Sequence, residues 1–215
     1  MAGNYTVRQG DHLFKIAKAF GFSDYHTIWD HPSNAALKQK RDNPNVLYPG
    51  DKLFVPDREQ REESRSTNKK HPFKMKSSGL KLRLVLEDVY EKPIANAKCQ
   101  LILGSDFRNV TTDGSGRIEE SIPADVHDVV LTIQDAQQTP FSATQIAIKV
   151  GDLDPVTEVS GQIARLNNLG YFVGDGDPDA ALKSAVEEFQ CENGLTVDGD
   201  CGPNTQAKLK QVHGC

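Results

Sequence analysis

The run from Asp57 to Lys70 carries only charged and polar side chains, with not one apolar residue among them. Such a stretch has nothing to bury, and it reads as a solvated linker or, alternatively, a mixed-charge docking strip. It also separates regions whose hydrophobic rhythms differ. Ahead of it lie short strand and helix patterns, after it a long segment of period two, and beyond that a segment of helical period. A chain of 215 residues with three such rhythms is expected to fold as several small units, each with its own core. The expected fold class is multidomain α+β.

In the first region Tyr5 and Val7 alternate as one face of a strand, broken by Gly10-Asp11. Asp11 is the expected N-cap of a helix whose apolar side is Leu13, Ile16, Ala17 and Phe20, with Gly21 ending it. Pro49-Gly50 is a turn, and Leu53, Val55 and Pro56 read as a second strand. Tyr5-x-Val7-x-x-Gly10-Asp11-x-Leu13-x-x-Ile16-Ala17, followed by Asn43-Pro44 and Tyr48-Pro49-Gly50-x-x-Leu53-x-Val55-Pro56, resembles a LysM domain. The resemblance implies a two-stranded sheet with two helices on one side, a βααβ unit. It also implies a groove for N-acetylglucosamine-containing glycans, peptidoglycan or chitin-like. Carried over, that groove is lined by Gly10, Asp11, His12, Leu13, Val46, Leu47, Tyr48 and Pro49. His12 departs from the Thr or Ser usual there. Phe22 to Arg41 is longer than usual and carries Trp29, His31 and Pro32, an insertion expected as an alternative to serve a protein partner in place of the sugar.

Between about Phe73 and Val150 the period is two. Leu80, Leu82, Leu84 and Leu86 alternate with Lys81, Arg83 and Val85, and Cys99, Leu101 and Leu103 repeat the pattern. Turn signals at Glu91-Lys-Pro93 and Thr112-Asp113-Gly114-Ser-Gly116 divide the strands, and Val129–Ile133 and Gln145–Val150 complete an antiparallel β-sandwich. Asp88 to Ala97 with Thr112-Asp113-Gly114-x-Gly116 resembles a transthyretin-like or carboxypeptidase-regulatory immunoglobulin-like domain. That resemblance implies a spacer, or a sheet edge for docking.

In the last region Val159, Ile163, Leu166 and Leu169 fall at helical spacing before Gly170. Asp179 is the expected cap of a second helix carrying Leu182, Val186 and Phe189, and Pro203 opens a third. Leu166-x-x-Leu169-Gly170-Tyr171, Ala185-Val186-x-x-Phe189-Gln190 and Gly194-Leu195-x-Val197-Asp198-Gly199-x-x-Gly202-Pro203-x-Thr205 resemble the type 1 peptidoglycan-binding domain, a three-helix bundle. Asp198, Gly199, Gly202, Pro203 and Thr205 are expected to shape the turn into the third helix. Tyr171, Phe172 and Asn204 are the candidates for glycan contact. An exposed aromatic can stack on a sugar ring, whereas a buried Tyr171 would belong to the core.

The expected boundaries are 1–57 for the LysM-like unit, 58–76 for the linker, 77–152 for the sandwich and 153–215 for the bundle. Cys99 falls on the buried phase of its strand. Cys191, Cys201 and Cys215 gather in the bundle with His213, and three readings stand there: one disulfide, a structural zinc, or free thiols. A net charge of −5 gives no basic excess for nucleic acid, and no apolar run approaches a membrane span. No catalytic motif stands out, and the six histidines are scattered. The expectation is a binding protein without catalytic residues, cofactor or metal. With the LysM pattern starting within four residues of Met1, the protein is expected to be cytoplasmic as made, and delivered outward, if at all, by a signal-independent machine. The partner is a glycan or, alternatively, a spike or baseplate protein of a type VI or other contractile secretion system, for which the chain would be an adaptor or a carried effector.

Overall fold

The computed structural model describes residues 2–58, 64–72, 79–88, 90–134, 144–174 and 178–215. All their buried apolar side chains except Val46 and Ala124 fall into three separate cores in chain order. Part of the expected linker, residues 59–63 and 73–76, and residues 77–78 at the start of the expected sandwich lie outside the described residues. Residues 64–72 between them form neither helix nor strand and are almost wholly exposed.

In the first unit β1 (Gly3–Thr6) pairs antiparallel with β2 (Lys52–Val55), Tyr5 opposite Leu53. Helix α1 (Leu13–Ala19) lays Leu13, Ile16 and Ala17 on this ribbon. Its cap differs from expectation. His12 is the N-cap, its Nδ1 accepting the Lys15 amide at 3.3 Å. Asp11 instead accepts from the Tyr5 hydroxyl at 2.6 Å and the Arg8 amide at 3.0 Å, closing the turn out of β1. Gly21, at φ +78°, ends the helix as expected. The long segment that follows is not one helix. It folds as α2 (His26–Trp29), a 3₁₀ turn (Pro32–Asn34) and α3 (Ala35–Lys40). Trp29 is 4 % exposed and part of the core, so it is no partner-facing side chain. Asn34 fastens the insertion: its amide donates to the Ile28 and Phe54 carbonyls and accepts the Phe54 N–H. Arg41 and Asp51 form a buried ion pair at 2.8 Å, and Asp51 also accepts the Tyr48 amide. Burial works against the Asp51 carboxylate, yet these bonds hold its pKa below the usual range.

The middle unit has two antiparallel sheets around one core: β3 (Leu80–Val85) paired with β6 (Arg117–Ile122), and a four-stranded sheet β5-β4-β7-β8. The second sheet comprises β4 (Lys98–Leu103), β5 (Asp106–Thr111), β7 (Asp128–Gln134) and β8 (Thr144–Lys149). Leu86, Cys99, Leu101, Leu103 and Ile118 are buried, and Lys81, Arg83 and Val85 face out, as alternation requires. The arrangement is compatible with an immunoglobulin-like sandwich. At the Asp113 turn the carboxylate accepts three donors, the Ser115 amide and hydroxyl and the Arg117 amide. Gly116, at φ +74°, passes so close to Leu86 that a methyl group there would stand 2.4 Å from the Leu86 carbonyl oxygen.

The last unit packs α4 (Val159–Asn168), α5 (Pro178–Glu192) and α6 (Pro203–His213). Phe189, Leu166 and Leu209 are fully buried, whereas Val159, expected in the core, is 57 % exposed. Pro178 opens α5, so Asp179 lies in its first turn and not at the cap. Buried Gln190 fixes the turn into α6. Its side-chain amide donates to Asp198, the Asp200 carbonyl and Thr205, and its oxygen accepts the Asp198 and Gly199 amides. Arg165, 1 % exposed, donates to the carbonyls of Asp154, Gly161 and Cys215 and so anchors the junction ahead of α4.

Candidate functional site

The two loops expected to form the LysM groove do lie side by side. The Leu13 amide donates to the Pro44 carbonyl, and Val7 exchanges hydrogen bonds with Gly50 and Asp51. The groove is not open, however. Gly10, Asp11, His12, Leu13, Val46 and Leu47 are buried, and Tyr48 and Pro49 are half-buried. Leu13 and Leu47 are core residues of the unit itself, and the Tyr48 ring lies under the Arg41 guanidinium at 5.6 Å.

The junction between sandwich and bundle covers the rest. Gly151 packs against the Gly10 carbonyl so closely that a methyl group there would stand 2.9 Å from that oxygen and 3.2 Å from the His12 ring. His127 and Asp152, joined at 3.1 Å, also pack against Gly10. Val46 shares a cleft of about 190 Å³ with Pro155, Val156, Arg165 and Lys210. Two exposed ion pairs span the seam, Lys18 with Asp125 at 3.0 Å and Lys210 with Asp42. His12 feels this cover most. Burial lowers its pKa to about 4, helped by nearby Lys15 and opposed by Asp11 and the Ala124 backbone. Its Nε2 has no hydrogen-bond partner.

The bundle presents the opposite picture. Tyr171 is half-buried, edge-on to Phe189 at 5.4 Å, with its hydroxyl donating to Glu192. Burial and that carboxylate raise its pKa, and the residue serves as the wall of the core. Phe172 follows it and is 73 % exposed. The loop carrying it is held by the Asn167 side chain, which accepts the Val173 amide at 2.9 Å. Asn204 is exposed in the first turn of α6 and shares no hydrogen bond with Tyr171 or Phe172. Asp198, Gly199, Gly202, Pro203 and Thr205 shape the turn into α6.

All four cysteines are free thiols. Cys99 is buried, Cys191 exposed, Cys201 half-buried against the bundle core, and Cys215 lies 3.1 Å from His213 Nδ1. The disulfide reading is therefore not realised in this structure, and Gln190 and Arg165 hold the bundle where a staple was expected. Among the described residues no group of three or more His, Cys, Asp or Glu converges as a metal site, and no helix is long and apolar enough to cross a membrane. Sequence reasoning quoted Gln190 without giving it a role and passed over Arg165 and the Arg41–Asp51 pair. Arg165 precedes Leu166 on the inward side of α4, which was its one visible signal.

Comparison with protein families agrees with the two ends. The LysM domain model matches residues 5–29, and the peptidoglycan-binding domain model matches residues 164–209. No curated protein and no solved structure matches the chain significantly. The chain thus carries a LysM domain at one end and a helical peptidoglycan-binding domain at the other, and both support binding to peptidoglycan.

Proposed function

We propose that the protein attaches to peptidoglycan through its carboxy-terminal bundle and catalyses no reaction, the sandwich serving as a strut and the LysM unit folded back on the junction. The observation that carries this reading is Phe172. A ring 73 % exposed, on a loop fixed by Asn167, can stack on the apolar face of an N-acetylated sugar. The rest of the matched motif is accounted for by the fold of the turn and core.

A second reading draws on the covered groove: a LysM unit occupied by its own chain suits an adaptor of a contractile secretion spike, or an effector it carries, as well as a wall binder. Sedimentation of the full chain with purified sacculi separates the two. The wild type is expected in the pellet, and Phe172→Ala to lower retention roughly five- to tenfold, about 1 to 1.4 kcal/mol. Retention no better than an unrelated protein, with stable co-purification of a spike protein, would favour the adaptor.

A further inference from the structure

We propose that Cys215 is a modification site: its thiol, held by His213 and Asn168 beside a cation-lined cleft, forms mixed disulfides with small carboxylate-bearing disulfides. The inference goes beyond the attachment reading and depends on no glycan. The exchange is stoichiometric and involves no turnover.

The sulfur ends a chain of three side chains. Asn168 Nδ2 meets His213 Nε2 at 3.0 Å, and His213 Nδ1 meets Cys215 Sγ at 3.1 Å. Burial, with the Arg165 charge nearby, lowers the His213 pKa to about 4, so the ring is neutral at pH 7 and carries one proton. With the Asn168 amide donating to Nε2, that proton sits on Nδ1 and is offered to the sulfur, where it favours the thiolate. Burial pushes the Cys215 thiol up, and the Arg165 cation pulls against it. The sulfur therefore rests as the thiol and reacts through a thiolate stabilised by one ring N–H and one guanidinium. Cys99 and Cys201 are placed otherwise. Cys99 is buried in the sandwich core, and burial reinforced by Asp200 raises Cys201 to about 11.

The cleft supplies the selectivity. Cys215 lines it together with Lys40, Arg41, Arg165 and Lys210. Arg41 is committed to Asp51. Arg165 is 1 % exposed and bonds to the carbonyls of Asp154, Gly161 and Cys215, while the Asp42 and Asp154 charges act on it from a distance. A buried guanidinium bonded to neutral carbonyls keeps charge to offer an arriving anion. The Lys210–Asp42 pair is exposed, so a ligand carboxylate can displace Asp42 at little cost. In the reaction the Cys215 thiolate attacks one sulfur of the ligand disulfide. The new S–S bond forms as the old one breaks, and the other half leaves as a thiolate. The leaving thiolate takes up a proton from water, matching the proton that Cys215 released. Cys215 is oxidised and the departing half is reduced.

The test treats the native full chain with glutathione disulfide, which is anionic, or with cystamine, which is dicationic. Peptide mass spectrometry then follows each thiol. The glutathione-to-cystamine rate ratio at Cys215, divided by the same ratio in urea, is expected to be about ten. Cys191 is the internal control. It is exposed, and Glu187 and Glu188 stand four and three residues before it on α5, so its ratio should favour cystamine. Lys210→Glu should lower the Cys215 preference severalfold, and Lys40→Glu is a second change at the cleft wall. Asn168→Leu should slow Cys215 with both reagents and leave their ratio unchanged, which separates orientation of the His213 ring from a general loss of structure. A Cys215 ratio no higher in the native chain than in urea overturns the cationic cleft. So does a preference that both lysine substitutions leave intact. A Cys215 inert to both reagents overturns the site, and a rate unmoved by Asn168→Leu removes His213 and Asn168 from it. Sacculus retention is measured apart from this exchange, so either proposal can fall while the other stands.

Discussion

In the first unit, the loops on either side of the ribbon meet another part of the same chain. In the last, the loop after α4 meets water. His12 is 2 % exposed and Phe172 73 %, although each stands at the position where its domain is expected to touch a glycan. The polar chemistry is distributed the same way. At the amino-terminal end Asp11, Lys15 and the Gly10 carbonyl satisfy one another, and one imidazole nitrogen is left over. At the carboxy-terminal end Gln190 and Asn167 do the internal bonding and leave an aromatic ring free. The contrast teaches that a domain's motif specifies its scaffold, whereas its availability is decided by what the neighbouring units do with its surface.

The largest expected effect breaks the two ends apart. Removing one partner of the buried Arg41–Asp51 pair strands a charge whose side chain is 3 % exposed, so Asp51→Ala should destabilise the first unit by about 3–5 kcal/mol. Trp29, the only tryptophan, sits in that core and reports its unfolding. Sacculus retention should survive, because the bundle has a core of its own. Gln190→Leu should do the reverse, leaving the Asp198 and Gly199 amides without their acceptor. It should lower retention while Trp29 fluorescence keeps its native transition. Loss of retention in Asp51→Ala would show that the ends do not fold independently.

Acid should weaken both ends in one pH window. Burial lowers the pKa of His12 and of His213 from 6.5 to about 4, each ring losing further to a nearby cation, Lys15 and Arg165 respectively. The folded state therefore resists protonation that the unfolded chain accepts. Its stability is complete above pH 6.5 and declines as pH falls toward 4, by at most about 3 kcal/mol per histidine. Urea midpoints at pH 7 and pH 4.5 measure this, with Trp29 fluorescence for the first unit and helical circular dichroism for the bundle. His12→Gln should flatten the first profile and His213→Gln the second. A profile unmoved by its own substitution would remove that histidine as the cause.

The scaffold was legible because its signals are local. Period two in Leu80–Leu86 and helical spacing through Leu166, Val186 and Phe189 depend on neighbours a few residues away, and the structure places these side chains in their cores. Local spacing also misled. Asp11 suits an N-cap, but Tyr5 and Arg8 engage its carboxylate, and His12 takes the cap. Val159 has helical phase with Ile163, yet the buried side of α4 is Gly161, Gln162, Arg165 and Leu166, and Val159 stands in solvent. The cover over the groove could not be read at all. It depends on Gly151, His127 and Asp152 meeting Gly10 and His12, contacts between residues far apart in the chain that no local spacing announces. Trp29 was ambiguous for a related reason: an insertion shows its length in the sequence, while Asn34, which ties it to β2, looks like any turn residue.

The smallest expected effect tests whether the ends communicate. Lys210 on α6 reaches Asp42, which precedes the groove loop, and their hydrogen bond lowers the Asp42 pKa despite some desolvation. The pair is a direct ionic link between the first and last units, but Asp42 is 75 % exposed. Pairs so exposed contribute little, and Lys210→Ala should move either unit's urea midpoint by no more than about 0.5 kcal/mol, less at high salt. Arg165 and Val156 already fix the junction to α4 without Lys210. A loss above about 1 kcal/mol shared equally by both transitions would mean that the seam couples the units strongly. The groove would then be closed as part of a single body, and opening it would have to disturb the bundle that holds Phe172.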